Sequence, residues 1–138
     1  MVTPSPWEYF SIEELSCKCG CGKLFMNADF MAKVVKFRQF YGPLTVNSAY
    51  RCEGHDKAVG TSATPGTGPH TYGRAIDFKV SAAQSKNFME VALKLGFFTG
   101  YGIDQRQAIP DEQRFIHVDD LGEGEFPAHP RPGLWSYP

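Results

Sequence analysis

Residues 50–77 read YRCEGHDKAVGTSATPGTGPHTYGRAID, and residues 115–119 read FIHVD. The first stretch carries Arg51, a loop rich in Gly, Thr and Pro, then His70 and, seven residues later, Asp77. The second supplies His117 and Asp119. Arg74 to Val80 alternates as a strand does, so Ala75, Asp77 and Lys79 point one way while Ile76, Phe78 and Val80 point into a core. Phe115 to Asp119 reads as another strand, with His117 and Asp119 two apart and therefore on one face. Two neutral imidazoles and one carboxylate suit zinc with a fourth position left for water. Gly73 and Ala75 are small enough to leave room beside such ligands. Arg51 is a fixed cation able to stabilise an oxyanion or hold a substrate carboxylate.

Outward from this centre, the remaining elements follow from caps and periodicity. Ser11 and Glu14 have the spacing of a capping box, so a short helix starts there. Asn27 caps the longest helix, Ala28 to Tyr41, with Phe30, Val34, Phe37 and Tyr41 on one face. Gly42-Pro43 ends it, and Leu44 to Tyr50 reads as the strand that delivers Arg51. His55 to Val59 is expected to make one helical turn, and residues 60–69 an exposed loop. Ser81 caps a second helix, Ala82 to Leu95, stopped by Gly96. Phe97 to Ile103 is a Gly-punctuated strand, and the polar, Pro-bearing run from Asp104 to Arg114 is a loop. The tail from Leu121 is Pro-rich and expected to be irregular, with Trp135 covering part of the core or the site. His55 and His129 read as surface residues.

The chain has 138 residues, a net charge of −1 and 42% hydrophobic residues. One domain, residues 1–138, is expected, with no compositional sign of a nucleic-acid or membrane partner. The first ten residues lack the basic start and apolar core of a secretory signal, so a protein made in the cytoplasm is expected. Cys17, Cys19, Cys21 and Cys52 are its four cysteines. Three readings stay open for them: reduced thiols, a disulfide between Cys52 and one of the cluster, or a second, structural zinc. The C-x-C-x-C spacing departs from the usual C-x-x-C knuckle. None of the three makes a cysteine the nucleophile.

The order Ser48-Ala-Tyr-Arg51, His70-Thr-Tyr-Gly73-Arg-Ala75-Ile-Asp77, Phe115-Ile-His117-Val-Asp119 resembles the zinc D-alanyl-D-alanine carboxypeptidase family. That group includes phage endolysin-type murein peptidases and shares its fold with the hedgehog signalling domain. Phe10-Ser-Ile-Glu-Glu-Leu15 also looks like the lead-in of the phage-type branch. The resemblance implies an α+β fold, a small antiparallel sheet with helices packed on one side. It implies Zn2+ on His70, Asp77 and His117, with Arg51 and Tyr72 binding substrate and cleavage of peptidoglycan peptides. A monomer acting on the cell wall, in phage lysis or as a virion component, is expected. Two positions depart from the family pattern: Gly68, where a serine usually stands, and Arg114, where many members carry an acidic base. The base is therefore sought in Asp119 first, then Glu112 or Asp111. Asp119 has a second reading, as the carboxylate that orients a ligand histidine. The alternative function is a catalytically inactive zinc-containing module that binds peptidoglycan or a protein partner.

Overall fold

The computed structural model describes residues 2–59 and 68–138, so most of the loop expected at 60–69 lies outside them. Helices begin where their caps dictate. The Ser11 hydroxyl accepts the Glu14 amide while the Glu14 carboxylate accepts the Ser11 amide, and this reciprocal box opens α1 (Ile12–Leu15). Asn27 Oδ1 accepts the Phe30 amide at 2.9 Å to open α2 (Ala28–Tyr41). Helix α3 (Glu53–Val59) starts two residues before the turn expected at His55. Helix α4 (Ala82–Leu95) stops at Gly96, whose φ of 68° is the left-handed cap a glycine adopts without steric cost.

Five strands, β1 (Thr45–Ser48), β2 (Ala75–Lys79), β3 (Gly100–Asp104), β4 (Phe115–Asp119) and β5 (Gly133–Ser136), form one sheet in the order β1-β2-β4-β3-β5. The first four pair antiparallel, and β5 adds parallel to β3. The architecture is the expected α+β, with a mixed sheet. The tail is therefore not wholly irregular. A four-residue edge strand with Pro130 and Pro132 just before it has too few residues to show an alternation, and its backbone partners come from β3, far back in the chain. The segment expected as a loop from Asp104 to Arg114 begins on β3 and contains a 3-10 turn at Asp111–Gln113.

The sheet has two unlike faces. Ile76 and Phe78 of β2, Ile116 and Val118 of β4 and Tyr101 of β3 face the helices and are buried. They meet Phe30, Val34 and Phe37 of α2 and Phe88 of α4 in one core. Phe37 is its hub, with ring centroids 5.1 Å from Phe88 and 5.5 Å from Phe98. Each such ring contributes about 1.5–3 kcal/mol by burial, enough to hold the sheet as a rigid floor. Its opposite face carries Asp77, His117 and Asp119, as the alternation predicts. Among the described residues, no helix is long and apolar enough to cross a membrane.

Candidate metal centre

Strand register builds the centre. Asp77 lies opposite His117, His117 opposite Gly102, and Gly102 opposite Trp135, one row across four strands. His70 enters from the turn before β2. Its Nδ1 lies 2.7 Å from the Ala49 carbonyl oxygen. A carbonyl only accepts, so the ring proton stays on Nδ1 and Nε2 is left facing Asp77. His117 is fixed in the same manner from the other side, with Nε2 2.7 Å from Asp119 Oδ2 and Nδ1 turned inward.

The inward atoms converge. His70 Nε2 is 3.2 Å from Asp77 Oδ1, His117 Nδ1 is 3.0 Å from the same oxygen, and the two nitrogens are 3.3 Å apart. Donors about 2.0–2.1 Å from a tetrahedral zinc lie about 3.3 Å from one another. The three atoms therefore match one ion with no rearrangement. All three side chains are buried, which is the setting in which unshared lone pairs and a carboxylate are most in need of a cation.

Arg51 completes the carboxylate. Asp77 divides its oxygens, Oδ1 toward the histidines and Oδ2 toward Arg51 Nη2 at 3.3 Å. The guanidinium is anchored by Nη1 on Asp56 Oδ1 at 3.4 Å and by Nε on Ser48 Oγ at 3.2 Å. Asp56 is buried and also accepts the Gly68 amide at 3.2 Å, tying α3 to the turn that carries His70. Arg51, His70, Asp77 and His117 all line one cleft of about 850 Å³.

Other expected site residues lie elsewhere. Asp119 does not line the cleft; it is fully buried behind His117, and Arg131 donates to both its oxygens at 2.8 and 2.7 Å. Tyr72, expected to bind substrate, is also not brought to the cleft. Its ring stacks on Phe126 with centroids 4.7 Å apart, because the turn from His70 to Gly73 sends neighbouring side chains in different directions. Asp111 pairs with Arg114 and caps the Ala82 amide. With Glu112 it lines a separate hollow beside α4, remote in lining from the centre.

Trp135, expected over part of the core or the site, lines the cleft, and Arg131, His129 and Tyr137, which carry no such signal in the sequence, line it too where β5 joins the sheet edge. The Trp135 ring lies 5.3 Å from that of His117, and the Arg131 guanidinium stacks on Trp135 at 4.7 Å. Gly100 and Gly102 permit this: a Cβ on the first would overlap the Asp119–Arg131 pair, and on the second Trp135 and Tyr137. Two glycines in one strand do point to a close approach, though not to what approaches. His129, expected at the surface, is half-buried in the cleft wall.

The charges have a defined pattern. Burial favours neutral His117, but the carboxylates of Asp119 and Asp77 against its two nitrogens outweigh this and lift it to about 9 from the ordinary 6.5. Burial opposes ionisation of Asp77 and Asp119 too, yet His70 and His117 beside the first, and His117 and Arg131 beside the second, hold both below the ordinary 3.8. In the metal-free protein the His117 contribution to stability is therefore complete below about pH 6.5 and is lost as pH rises through about 9. The aspartate contributions are present above about pH 3.8 and are lost as pH falls through their lower folded values. A metal ion must displace the proton from His117 Nδ1. Zinc affinity should thus rise about tenfold per pH unit until about pH 9. Competition titration against a chromophoric chelator at several pH values checks this, and a flat profile would contradict the assigned charges.

Comparison with curated proteins and with solved structures returned no significant match. A family model, Peptidase M15, matches residues 8–119, a span that includes Arg51, His70, Asp77 and His117. The chain therefore belongs to the peptidase M15 family, the metal-dependent peptidases that include the zinc D-alanyl-D-alanine carboxypeptidases.

Proposed function

We propose that the protein is a zinc peptidase that hydrolyses the stem peptides of bacterial peptidoglycan, at a D-Ala-D-Ala terminus or an L-Ala-D-Glu link. The observation that carries this reading is the convergence of His70 Nε2, Asp77 Oδ1 and His117 Nδ1 in an open cleft beside a fixed cation, Arg51. Zinc held by three such ligands supplies a Lewis acid with a position left for water or substrate.

The chain's own residues have these roles. Arg51, locked by Ser48, Asp56 and Asp77, holds a carboxylate of the substrate next to the scissile bond. Both candidate bonds have such a carboxylate nearby. Burial, with the Asp77 charge nearby, pushes the Tyr137 hydroxyl up to about 12. It keeps its proton at neutral pH and donates to the oxyanion that forms on the carbonyl oxygen. His129, an imidazole in the cleft wall, takes the proton from water and returns it to the leaving amine as the C–N bond breaks. Asp119 and Arg131 position His117 rather than meeting substrate.

One observation favours a second reading, a zinc-containing module that binds peptidoglycan or a protein partner without cleaving it. Arg114 replaces the family's acidic base and is turned to Asp111 and the Arg106 carbonyl. The carboxylates lining the described cleft are all engaged: Asp56 and Asp77 with Arg51, and Asp104 with Arg106 Nε and Nη2, each at 2.8 Å. Digestion of purified peptidoglycan, with fragments identified by mass spectrometry, separates the two. Peptide fragments that appear with zinc and vanish with a chelator are the expected result and name the bond. Wall left intact by protein that holds zinc on His70, Asp77 and His117 would overturn the peptidase in favour of the binding module.

A further inference from the structure

We propose that Cys17, Cys19, Cys21 and Cys52 form a tetrathiolate site for a second zinc ion, which clamps the exit of β1 to the N-terminal segment. The four sulfur atoms all lie within 4.8 Å of one another. Cys17 and Cys19 Sγ are 3.4 Å apart, and Cys19 and Cys52 Sγ 3.6 Å. Sulfurs bound to one tetrahedral zinc at about 2.3 Å lie about 3.8 Å apart, so a small outward relaxation seats the ion. All four cysteines are free. A disulfide joins sulfurs in pairs, and a pairing accounts for two close sulfurs rather than a fourfold convergence. Four thiolates in a tetrahedron are the donor set zinc prefers in structural sites.

The local chain is shaped for this. Gly20 and Gly22 have φ of 89° and 73°, conformations that side chains resist, and the Cys17 amide donates to the Lys23 carbonyl at 2.9 Å. The two glycines and the closing bond curl residues 17–23 so that three sulfurs spaced C-x-C-x-C face one point. That curl explains how the chain departs from the C-x-x-C knuckle and still converges. Two amides aim at sulfur, Lys23 N on Cys21 Sγ and Cys52 N on Cys17 Sγ, both at 3.4 Å. Such donors stabilise thiolate over thiol and orient a ligand sulfur.

The consequence reaches the cleft through four residues. The Tyr50 amide donates to the Leu15 carbonyl at 3.2 Å, and the Arg51 amide to the His70 carbonyl at 3.3 Å. The Ala49 carbonyl accepts His70 Nδ1. Cys52, the next residue, is the only one of the four thiolates outside the N-terminal curl. An ion on the four sulfurs thus fixes the chain immediately after Arg51, and through it the placement of the guanidinium and of the His70 ring.

The test loads reduced, metal-free full-length protein with zinc, and in parallel with cobalt, whose thiolate charge-transfer absorption in the near ultraviolet identifies sulfur ligation. Wild type is expected to bind two ions per chain and to show that absorption. Cys19→Ser and Cys52→Ser should each lose one ion and the absorption while keeping the ion at the histidines. His117→Ala should lose the other ion and keep the absorption. The wild-type cobalt spectrum needs no variant to fold. A single ion per chain that is lost with His117→Ala, absence of thiolate absorption, iron in place of zinc in the purified protein, or four cysteines paired as disulfides when zinc is offered, would each overturn the site. Because the readout is metal content and not turnover, its failure leaves the peptidase reading untouched.

Discussion

Replacing His117 with alanine is expected to abolish metal binding at the cleft and to reduce turnover by a thousandfold or more. His117 touches both other members of the convergence, at 3.3 Å from His70 Nε2 and 3.0 Å from Asp77 Oδ1. Its loss leaves two donors, fewer than a catalytic zinc uses. A Lewis acid supplies several kcal/mol of transition-state stabilisation, and about 4 kcal/mol corresponds to a thousandfold in rate. Asp77 also loses its neighbour across the β2–β4 pairing, although His70 remains on its first oxygen and Arg51 on its second. Zinc content and peptidoglycan turnover, measured on the same preparation, decide the matter. Retained turnover with the cleft metal gone would remove zinc from the mechanism.

Replacing Arg131 with methionine should cost about 3–5 kcal/mol of stability. The substitution keeps the apolar stem and removes the guanidinium that donates to both oxygens of fully buried Asp119. Breaking a buried pair from one side leaves Asp119 with protonated His117 as its remaining cationic partner, so the penalty falls toward the lower end of the range of about 3–5 kcal/mol for such a loss. For a domain of this length the melting temperature should fall by about 10 °C or more. The same change loosens the carboxylate that holds His117 Nε2, so zinc affinity at the cleft should drop about 10–100-fold. Adding Asp119→Asn should recover part of the stability, since the half-paired charge is gone, and none of the zinc affinity. Thermal unfolding in chelator and zinc competition measure the two effects separately. An unchanged melting temperature would show that Asp119 is reached by water and would reopen its reading as the base.

Much of the frame was legible because its signals are local. The caps at Ser11 and Asn27 and the glycine at 96 mark helix ends within a few residues of the chain. The two-residue period of β2 and β4 separates Ile76, Phe78, Ile116 and Val118 from Asp77 and His117 without knowledge of any partner. Asp77 and His117 are therefore visible from strand period, His70 and Arg51 join them through the family resemblance, and the structure brings all four to one cleft. Tyr72 lies in a turn, which has no period from which a direction could be read, and its ring stacks on Phe126.

By itself the sequence determined the helices, four of the strands and the face on which the metal-set residues stand, because each depends on spacing within one element. Tertiary structure alone decided that β5 closes the sheet edge, that Arg131 rather than solvent meets Asp119, that His129 and Tyr137 join the cleft, and that Cys52 meets Cys17, Cys19 and Cys21. Those pairings join residues from distant parts of the chain. The pairings around β5 are set by strand register and by the space two missing side chains leave at Gly100 and Gly102, and neither leaves a periodic trace in the residues that use it.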